Sequence, residues 1–378
     1  MVQAPQQQQN TAQAAWAAYR NQRFFGSLNG LRFLCIIAVM WHHSPLRAAR
    51  DSTSLLWDRG YLGVDFFFVL SGFLITTLLL REEERNGQFS LRGFYWRRIL
   101  RIVPVYYLVV TAVGVYYIFV KGQSQFLDIW LYYYLFLSNF LTTDIPLLTI
   151  TWSLAVEEQY YMIWPLLLLL LPVRGLARPG VLIALIVLCV LSAAGYLAFT
   201  GLSAPETAYA LWRLPVGSYA AILLGTLSAV LLHRPESYAA AWRLMGHPAA
   251  PLMTFGGLLA VLIVWPGVLV GGAALLVHLC MTLCLISIVL REQHVLARPL
   301  AWSPVARIGE ISYGLYLYHM IGRHIGVEAG TALGRGPWGA TALFVVVSVL
   351  IAEVSFRTFE AWFLGLKHRK PVPLAQRE

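Results

Sequence analysis

Leu28-Asn29-Gly30-Leu31-Arg32-Phe33-Leu34-Cys35-Ile36-Ile37-Ala38-Val39-Met40-Trp41-His42-His43-Ser44-Pro45-Leu46 is an apolar stretch of membrane-spanning length that carries one guanidinium and two imidazoles. An arginine at the centre of a membrane helix costs about 2.5–3.5 kcal/mol on insertion scales, so such a residue needs a use. Arg32 and His43 are eleven positions apart. At 3.6 residues per turn this is nearly three turns, which puts both side chains on one helical stripe, roughly 16 Å apart. His42 shares neither that stripe nor its alignment with Arg32, so His43 is the preferred imidazole. Arg32 alone would suit a snorkelling cation; the aligned pair suggests two stations on one path.

The rest of the chain sets the class. Of 378 residues, 58% are hydrophobic and only 12% charged, and the mean hydropathy is +0.65, far from a soluble profile. Apolar runs recur at roughly 28–46, 60–80, 102–120, 151–172, 180–200, 212–232, 250–268, 271–290, 308–325 and 340–366. An all-α polytopic membrane protein of about ten transmembrane helices is therefore expected. Residues 1–24 read as a polar cytoplasmic tail without a secretory signal, 25–366 as one transmembrane domain, and 367–378 as a basic cytoplasmic tail. Trp16, Tyr19, Phe24 and Phe25 suit either a short surface helix or a disordered tail. Segment 126–141 is aromatic but short. With it excluded as a span and the N-terminus inside, nineteen Lys and Arg residues fall inside and seven outside. With it included, eleven fall inside and fifteen outside. The positive-inside rule thus selects ten spans, both termini cytoplasmic, and residues 121–150 as an outer-side re-entrant or surface element. The location implied is the inner (plasma) membrane, multi-pass. Cys35, Cys189, Cys280 and Cys284 lie in apolar runs without a ligand set around them and read as packing residues, so no metal site is expected.

That topology sends ionisable groups from four spans into one outer zone. Asp65 enters from the outer side, first as a structural partner of an intramembrane cation and only second as a catalytic group. Ser153 and Glu157 are one turn apart on a single face, and Glu158 beside them points elsewhere. Ser312, Tyr316 and His319 follow i, i+4 and i+7 spacing on another stripe. His319 reads as a supporting residue before a direct participant. Gly63, Ser71 and Gly72 are expected where helices approach closely. His233, His247, His278, His294, His324 and His368 stand outside any constellation.

The inner side has a different character. The segment 81–101 reads as a loop holding Arg81, Arg85, Arg92, Arg97, Arg98 and Arg101, with Glu82, Glu83 and Glu84 at its start. Arg97 and Arg98 are each one turn from Arg101, which would gather a cationic cluster suited to phosphate. The net charge of +10 follows otherwise from orientation and anionic lipid, so the partner is the bilayer and not nucleic acid.

These motifs together resemble the acyltransferase 3 family of integral membrane O-acyltransferases, over about 25–370. Arg32 with His43 resembles its opening Arg-x10-His element. Gly63-Val64-Asp65-Phe66-Phe67-Phe68-Val69-Leu70-Ser71-Gly72-Phe73-Leu74 resembles its second signature, and Phe94-Tyr95-Trp96-Arg97-Arg98-Ile99-Leu100-Arg101-Ile102-Val103-Pro104 its third. Trp152-Ser153-Leu154-Ala155-Val156-Glu157-Glu158-Gln159-Tyr160-Tyr161 with Trp164-Pro165, and Ile311-Ser312-Tyr313-Gly314-Leu315-Tyr316-Leu317-Tyr318-His319, resemble the last two. Five elements in register are specific where one is not. The resemblance implies transfer of an acyl group, usually acetyl from cytoplasmic acetyl-CoA (or another acyl-CoA), to a hydroxyl of an envelope glycan such as O-antigen or exopolysaccharide, or of a small hydroxylated metabolite. Some members carry an extracytoplasmic esterase-like domain after the membrane part. Here little sequence follows the last span, so transfer is expected from the membrane domain itself or from a separate protein.

Read as chemistry, the inner cations Arg32, Arg97, Arg98 and Arg101 would hold the phosphates and arm of the donor. His43 would act near the thioester, because deprotonating a hydroxyl calls for a base that titrates near neutrality. Glu157 would orient or charge-stabilise that imidazole, and Ser153 or Tyr316 would donate to the oxyanion. Direct transfer and transient acylation of His43 or of a hydroxyl residue both remain open. The rival function is a transporter or flippase of a glycan or lipid-linked substrate, which also uses buried charges. Carriers commonly show internal repeats, and no second copy of the Arg32–His43 or Gly63–Leu74 pattern occurs in the C-terminal half.

Overall fold

Apolar runs punctuated by Gly, Pro and short polar turns fold here into helices packed on helices. The computed structural model describes residues 3–22, 25–49, 55–171, 176–193, 218–267, 269 and 271–366, and the regular structure among them is all helical. Arg23, Arg50, Arg174, Arg213 and the tail 367–378, which enter the charge balance above, lie outside the described residues. In chain order the principal helices are α1 (Gln3–Asn21), α2 (Ser27–His42), α3 (Leu62–Asn86), α4 (Leu91–Val115), α5 (Leu127–Tyr134), α6 (Thr151–Leu170) and α7 (Ala177–Ala193). They continue as α8 (Ser218–Leu232), α9 (Pro235–Met245), α10 (Ala250–Val264), α11 (Gly272–Val289), α12 (Ser303–Glu310), α13 (Ser312–Ala332) and α14 (Pro337–Ser355).

Among the described residues, four continuous helical segments are long and apolar enough to cross a bilayer: Arg59–Asn86, Leu91–Val120, Gly272–Val289 and Pro337–Gly365. A fifth arises if α9 and α10, which meet at a 78° bend, are taken as one. The expected runs 180–200 and 212–232 lie partly outside the described residues, and two other runs fall short for physical reasons. Helix α2 has 16 residues, so it rises only about 24 Å against a hydrocarbon core of about 30 Å. Helix α6 is long enough but carries Glu157, Glu158 and Gln159. Segment 126–141 forms α5, whose eight residues span about 12 Å. Tyr106 and Tyr107 of α4 donate to its last carbonyls, at Tyr133 and Tyr134 (both 2.8 Å).

The segment expected as a long basic loop is mostly helix. Helix α3 runs to Asn86, Gly87 closes it in the left-handed region (φ +76°), and the Ser90 hydroxyl caps α4 by accepting from the Gly93 amide. The glutamates at the end of α3 clasp three elements. Glu82 takes Arg97 of α4 (3.0 Å), Glu83 takes Arg178 of α7 (2.8 and 2.9 Å), and Glu84 takes Arg20 of α1. Arg81 donates to the carbonyls of Tyr19 (2.7 Å) and Gln22 (2.5 Å). Part of the basic segment therefore holds the fold together, and Arg98 and Arg101 keep their heads in a chamber.

Small residues set the closest approaches. A Cβ on Gly72 of α3 would lie 2.0 Å from the Ile222 carbonyl of α8, and one on Gly225 of α8 would lie 2.0 Å from the Val69 carbonyl of α3. Gly322, Gly326 and Gly330 of α13 stand at four-residue spacing against Ser348, Phe344 and Ala340 of α14, the small-residue stripe of membrane helix pairs. Ser71 departs from the packing role expected of it and donates instead to Glu157 (2.6 Å). Gly72→Ala is expected to lower stability by about 1–3 kcal/mol by prising α3 from α8. Gly256→Ala, where a Cβ meets nothing within 4 Å, is expected to be neutral or mildly stabilising. Thermal unfolding of the detergent-purified variants reads both, and equal midpoints would remove the close-packing argument.

Candidate active site

Two chambers meet inside the bundle. The first, about 360 Å³, is lined by Arg32, Ser71, Arg97, Arg98, Arg101, Ser153, Glu157, Tyr161, Ser312 and Tyr316. The second, about 630 Å³, is lined by His42, His43, Tyr61, Asp65, Asp144, Trp152, His278 and Tyr316. Val64 of α3 and Tyr316 of α13 belong to both walls. The Arg32–His43 stripe thus runs from one chamber to the other, and Arg32 and His43 face different volumes.

Helix α2 ends at His42, leaving His43 as the residue that closes it rather than a member of a longer helix. The reason is local: Ser44 is extended and caps the short helix that Pro45 begins, its hydroxyl accepting from the Arg47 amide (3.1 Å). Two cations secure this end. The Arg47 guanidinium donates to the His42 carbonyl (3.0 Å) and that of Arg323 to the His43 carbonyl (2.7 Å), satisfying acceptors the helix terminus would leave bare.

The imidazole of His43 meets that of His319, Nδ1 to Nε2, at 3.2 Å. Backbone carbonyls fix both tautomers. His319 Nδ1 lies 2.6 Å from the Tyr316 carbonyl, so it carries the proton and its Nε2 offers a lone pair. His43 Nδ1 lies 3.1 Å from the Val39 carbonyl and within reach of that lone pair, so it too carries the proton. His43 Nε2 is left with its lone pair, the form required of a base or a nucleophile. From Tyr316 the polar chain continues. Its phenol lies 2.7 Å from the Ser153 hydroxyl and 3.0 Å from the Ile150 carbonyl, to which it donates.

Ser153 and Glu157 line the first chamber together, and the 312–316–319 stripe carries Ser312 and Tyr316 to its wall while His319 reaches His43. Glu157 is the exception to its expected role. Its carboxylate accepts from Ser71, and His43 takes its orientation from Val39 and His319. One turn along α6 separates Ser153, at the junction, from Glu157, farther into the arginine chamber. Among the cations, Arg97 pairs with Glu82 and is 51% exposed, whereas Arg98 lies over the Tyr161 ring at 4.4 Å. Arg32 donates to the Asn29 side chain (3.2 Å). Arg32, Arg98 and Arg101 therefore form the inward group, and Arg97 stands at its rim.

Asp65 meets a residue that the sequence leaves outside any constellation: His278 of α11, with Nε2 3.3 Å from the carboxylate. Ser71, Tyr161, Trp152 and Asp144 also join the chamber walls without having been singled out as site residues. No group of three or more His, Cys, Asp or Glu that could hold a metal occurs among the described residues.

Residues 25–356 match the family described as the acyltransferase domain, acyltransferase 3. The chain is 28% identical to the peptidoglycan O-acetyltransferase OatA of Listeria monocytogenes serovar 1/2a, across 90% of this chain and 56% of that protein. It is likewise 28% identical to "Putative peptidoglycan O-acetyltransferase YrhL" of Bacillus subtilis, across 90% of this chain and 55% of that one. The chain thus spans a little over half the length of these curated relatives. No solved structure matches it.

Proposed function

The chain belongs to the acyltransferase 3 family, and from that premise we propose that it moves an acyl group, acetyl in the first instance, from cytoplasmic acyl-CoA to a hydroxyl of an envelope glycan. The observation that carries the reading is the junction of the two chambers. Arg32, Arg98 and Arg101 line one, His43 lines the other, and Tyr316 is common to both. A donor with phosphates and a long thin arm suits the first: guanidinium groups hold the phosphates near its mouth, and the arm brings the thioester to Ser153 and Tyr316.

His43 Nε2 then takes the proton of the acceptor hydroxyl while that oxygen attacks the thioester carbonyl. The carbon–sulfur bond breaks, and the thiolate of CoA leaves with a proton returned from the imidazolium. Tyr316 and Ser153 are the proposed oxyanion donors between these steps, each turning to the oxyanion the proton that the Ile150 carbonyl accepts in this structure. In the covalent variant the same lone pair attacks the thioester first and the acceptor hydroxyl attacks the acyl-imidazole. Both variants use the tautomer that the Val39 and Tyr316 carbonyls impose.

This reading places the chain in the inner membrane as about ten spans, with both termini cytoplasmic, the arginine chamber facing the donor's side and residues 121–150 on the acceptor's side. The excess of Lys and Arg on the proposed inner side supports it. Peptidoglycan is the acceptor named for the relatives, and it joins O-antigen and exopolysaccharide as a candidate here. Titration of the purified protein with acetyl-CoA tests the reading against a glycan carrier, which has no need of that donor. Saturable binding that desulfo-CoA shares and adenosine does not is expected; no binding would overturn the reading.

A further inference from the structure

We propose that Asp65 and His278 form the acceptor clamp of the second chamber, with Asp65 accepting hydrogen bonds from sugar hydroxyls and His278 holding Asp65 in place. The inference rests on the acyl-transfer reading above and adds the acceptor's side of it. Asp65 enters on the first turn of α3 and His278 comes from α11, two helices that the sequence gives no reason to pair. Their side chains meet at 3.3 Å, and both line the chamber that holds His43.

The two partners are unequal in a telling way. The His278 side chain is 3% exposed and that of Asp65 is 14% exposed, so the carboxylate, not the imidazole, faces the open volume. With Nε2–H donated to Asp65, the remaining nitrogen, Nδ1, is buried and has no partner among the described residues. An imidazole so enclosed fixes one carboxylate oxygen and leaves the other free to accept. This makes His278 a positioning residue and Asp65 the group that touches the acceptor.

The rest of the wall defines the acceptor class. Tyr61 and Trp152 are 39% and 37% exposed, large faces for a chamber wall, and they suit the C–H faces of a pyranose ring. Asp144 adds a second carboxylate, and no Lys or Arg lines the chamber among the described residues. Carboxylates accept from hydroxyls and repel anions, so the fitting acceptor is a neutral or amino-bearing sugar rather than one phosphorylated or carboxylated at the clamped position. Arginine-lined and carboxylate-lined chambers thus sort donor from acceptor by charge.

The full-length protein in detergent, with a β-1,4-linked N-acetylglucosamine tetrasaccharide as probe, tests the clamp by tryptophan fluorescence and by acetylation kinetics. His278→Ala and Asp65→Asn should raise the Kd and KM for the tetrasaccharide about tenfold or more, the loss expected for a hydrogen bond to a charged group, with kcat and acetyl-CoA affinity little changed. His278→Gln, which keeps a donor near the Nε2 position, should recover most of that loss, and a 6-phosphorylated sugar should bind worse than the neutral one to the parent protein. Unchanged tetrasaccharide affinity in Asp65→Asn, or a fall in kcat at constant KM, would overturn the clamp. Absent acetyl-CoA binding in the parent protein would instead strike the acyl-transfer reading, and the tetrasaccharide binding arm would still decide the clamp.

Discussion

His43→Ala abolishes acyl transfer and leaves a folded, membrane-inserted protein. The expected loss in turnover is about 10²–10⁴-fold, the contribution of a positioned base, and greater if the imidazole carries the acyl group itself. The side chain closes α2 at the edge of a chamber rather than filling a core, and both cations that secure this helix end bind backbone carbonyls. Truncation therefore removes chemistry and spares the scaffold. Fluorescence-detected size exclusion and acetyl-CoA binding should match the parent protein. His319→Ala should cost less than His43→Ala, because it removes the acceptor of one proton while the Val39 carbonyl still holds the His43 tautomer. Measured glycan acetylation decides both: normal turnover in His43→Ala would refute the catalytic assignment, and a His319 variant worse than the His43 variant would reverse their roles.

Arg98→Ala weakens the donor, not the acceptor. Loss of a charge-assisted contact to phosphate should raise the Kd for acetyl-CoA by about 10–100-fold. Arg97→Ala serves as the internal comparison, since Arg97 is exposed and already paired with Glu82, and exposed pairs contribute little. Its effect should be several-fold smaller. Arg98→Lys should recover charge but only part of the affinity, because a point charge replaces a planar fork that also lies over Tyr161. Calorimetric titration with acetyl-CoA reads all three. Equal affinities for Arg98→Ala and the parent protein would remove Arg98 from the donor site, and acceptor KM values shifted as strongly as donor Kd values would mean a general collapse of the chamber.

Helical periodicity is what made much of the site legible in the sequence. Arg32 with His43, Ser153 with Glu157, and Ser312 with Tyr316 and His319 each lie on one helix, so spacing alone assigns their faces. Contacts between helices have no such signature. The His43–His319 pair spans 276 positions and Ser71–Glu157 spans 86, and neither register follows from either helix by itself. His278 sits in an otherwise apolar helix, where a lone imidazole is unremarkable until Asp65 is placed beside it. The partner of Glu157 is hidden for the same reason: its carboxylate accepts from Ser71 of α3, a contact between helices, and not from His43. Segment 81–101 reads as a loop because charge interrupts hydropathy there, whereas α3 and α4 simply continue beyond the apolar region. The apolar run 28–46 likewise exceeds its helix, since α2 ends after 16 residues where Ser44 and Pro45 begin a new turn.

Passage of the acyl group from the arginine chamber to the histidine chamber is the central claim, and a sidedness assay tests it most directly. The protein is reconstituted in one orientation in vesicles loaded with glycan acceptor, and acetyl-CoA labelled in the acetyl group is supplied only outside, on the face bearing Arg98 and Arg101. The predicted result is label on the enclosed glycan with unlabelled CoA retained outside, lost in His43→Ala and slowed at limiting donor in Arg98→Ala. Label that reaches the glycan only when donor and acceptor share a compartment, or that reaches it equally well in His43→Ala, would contradict the account.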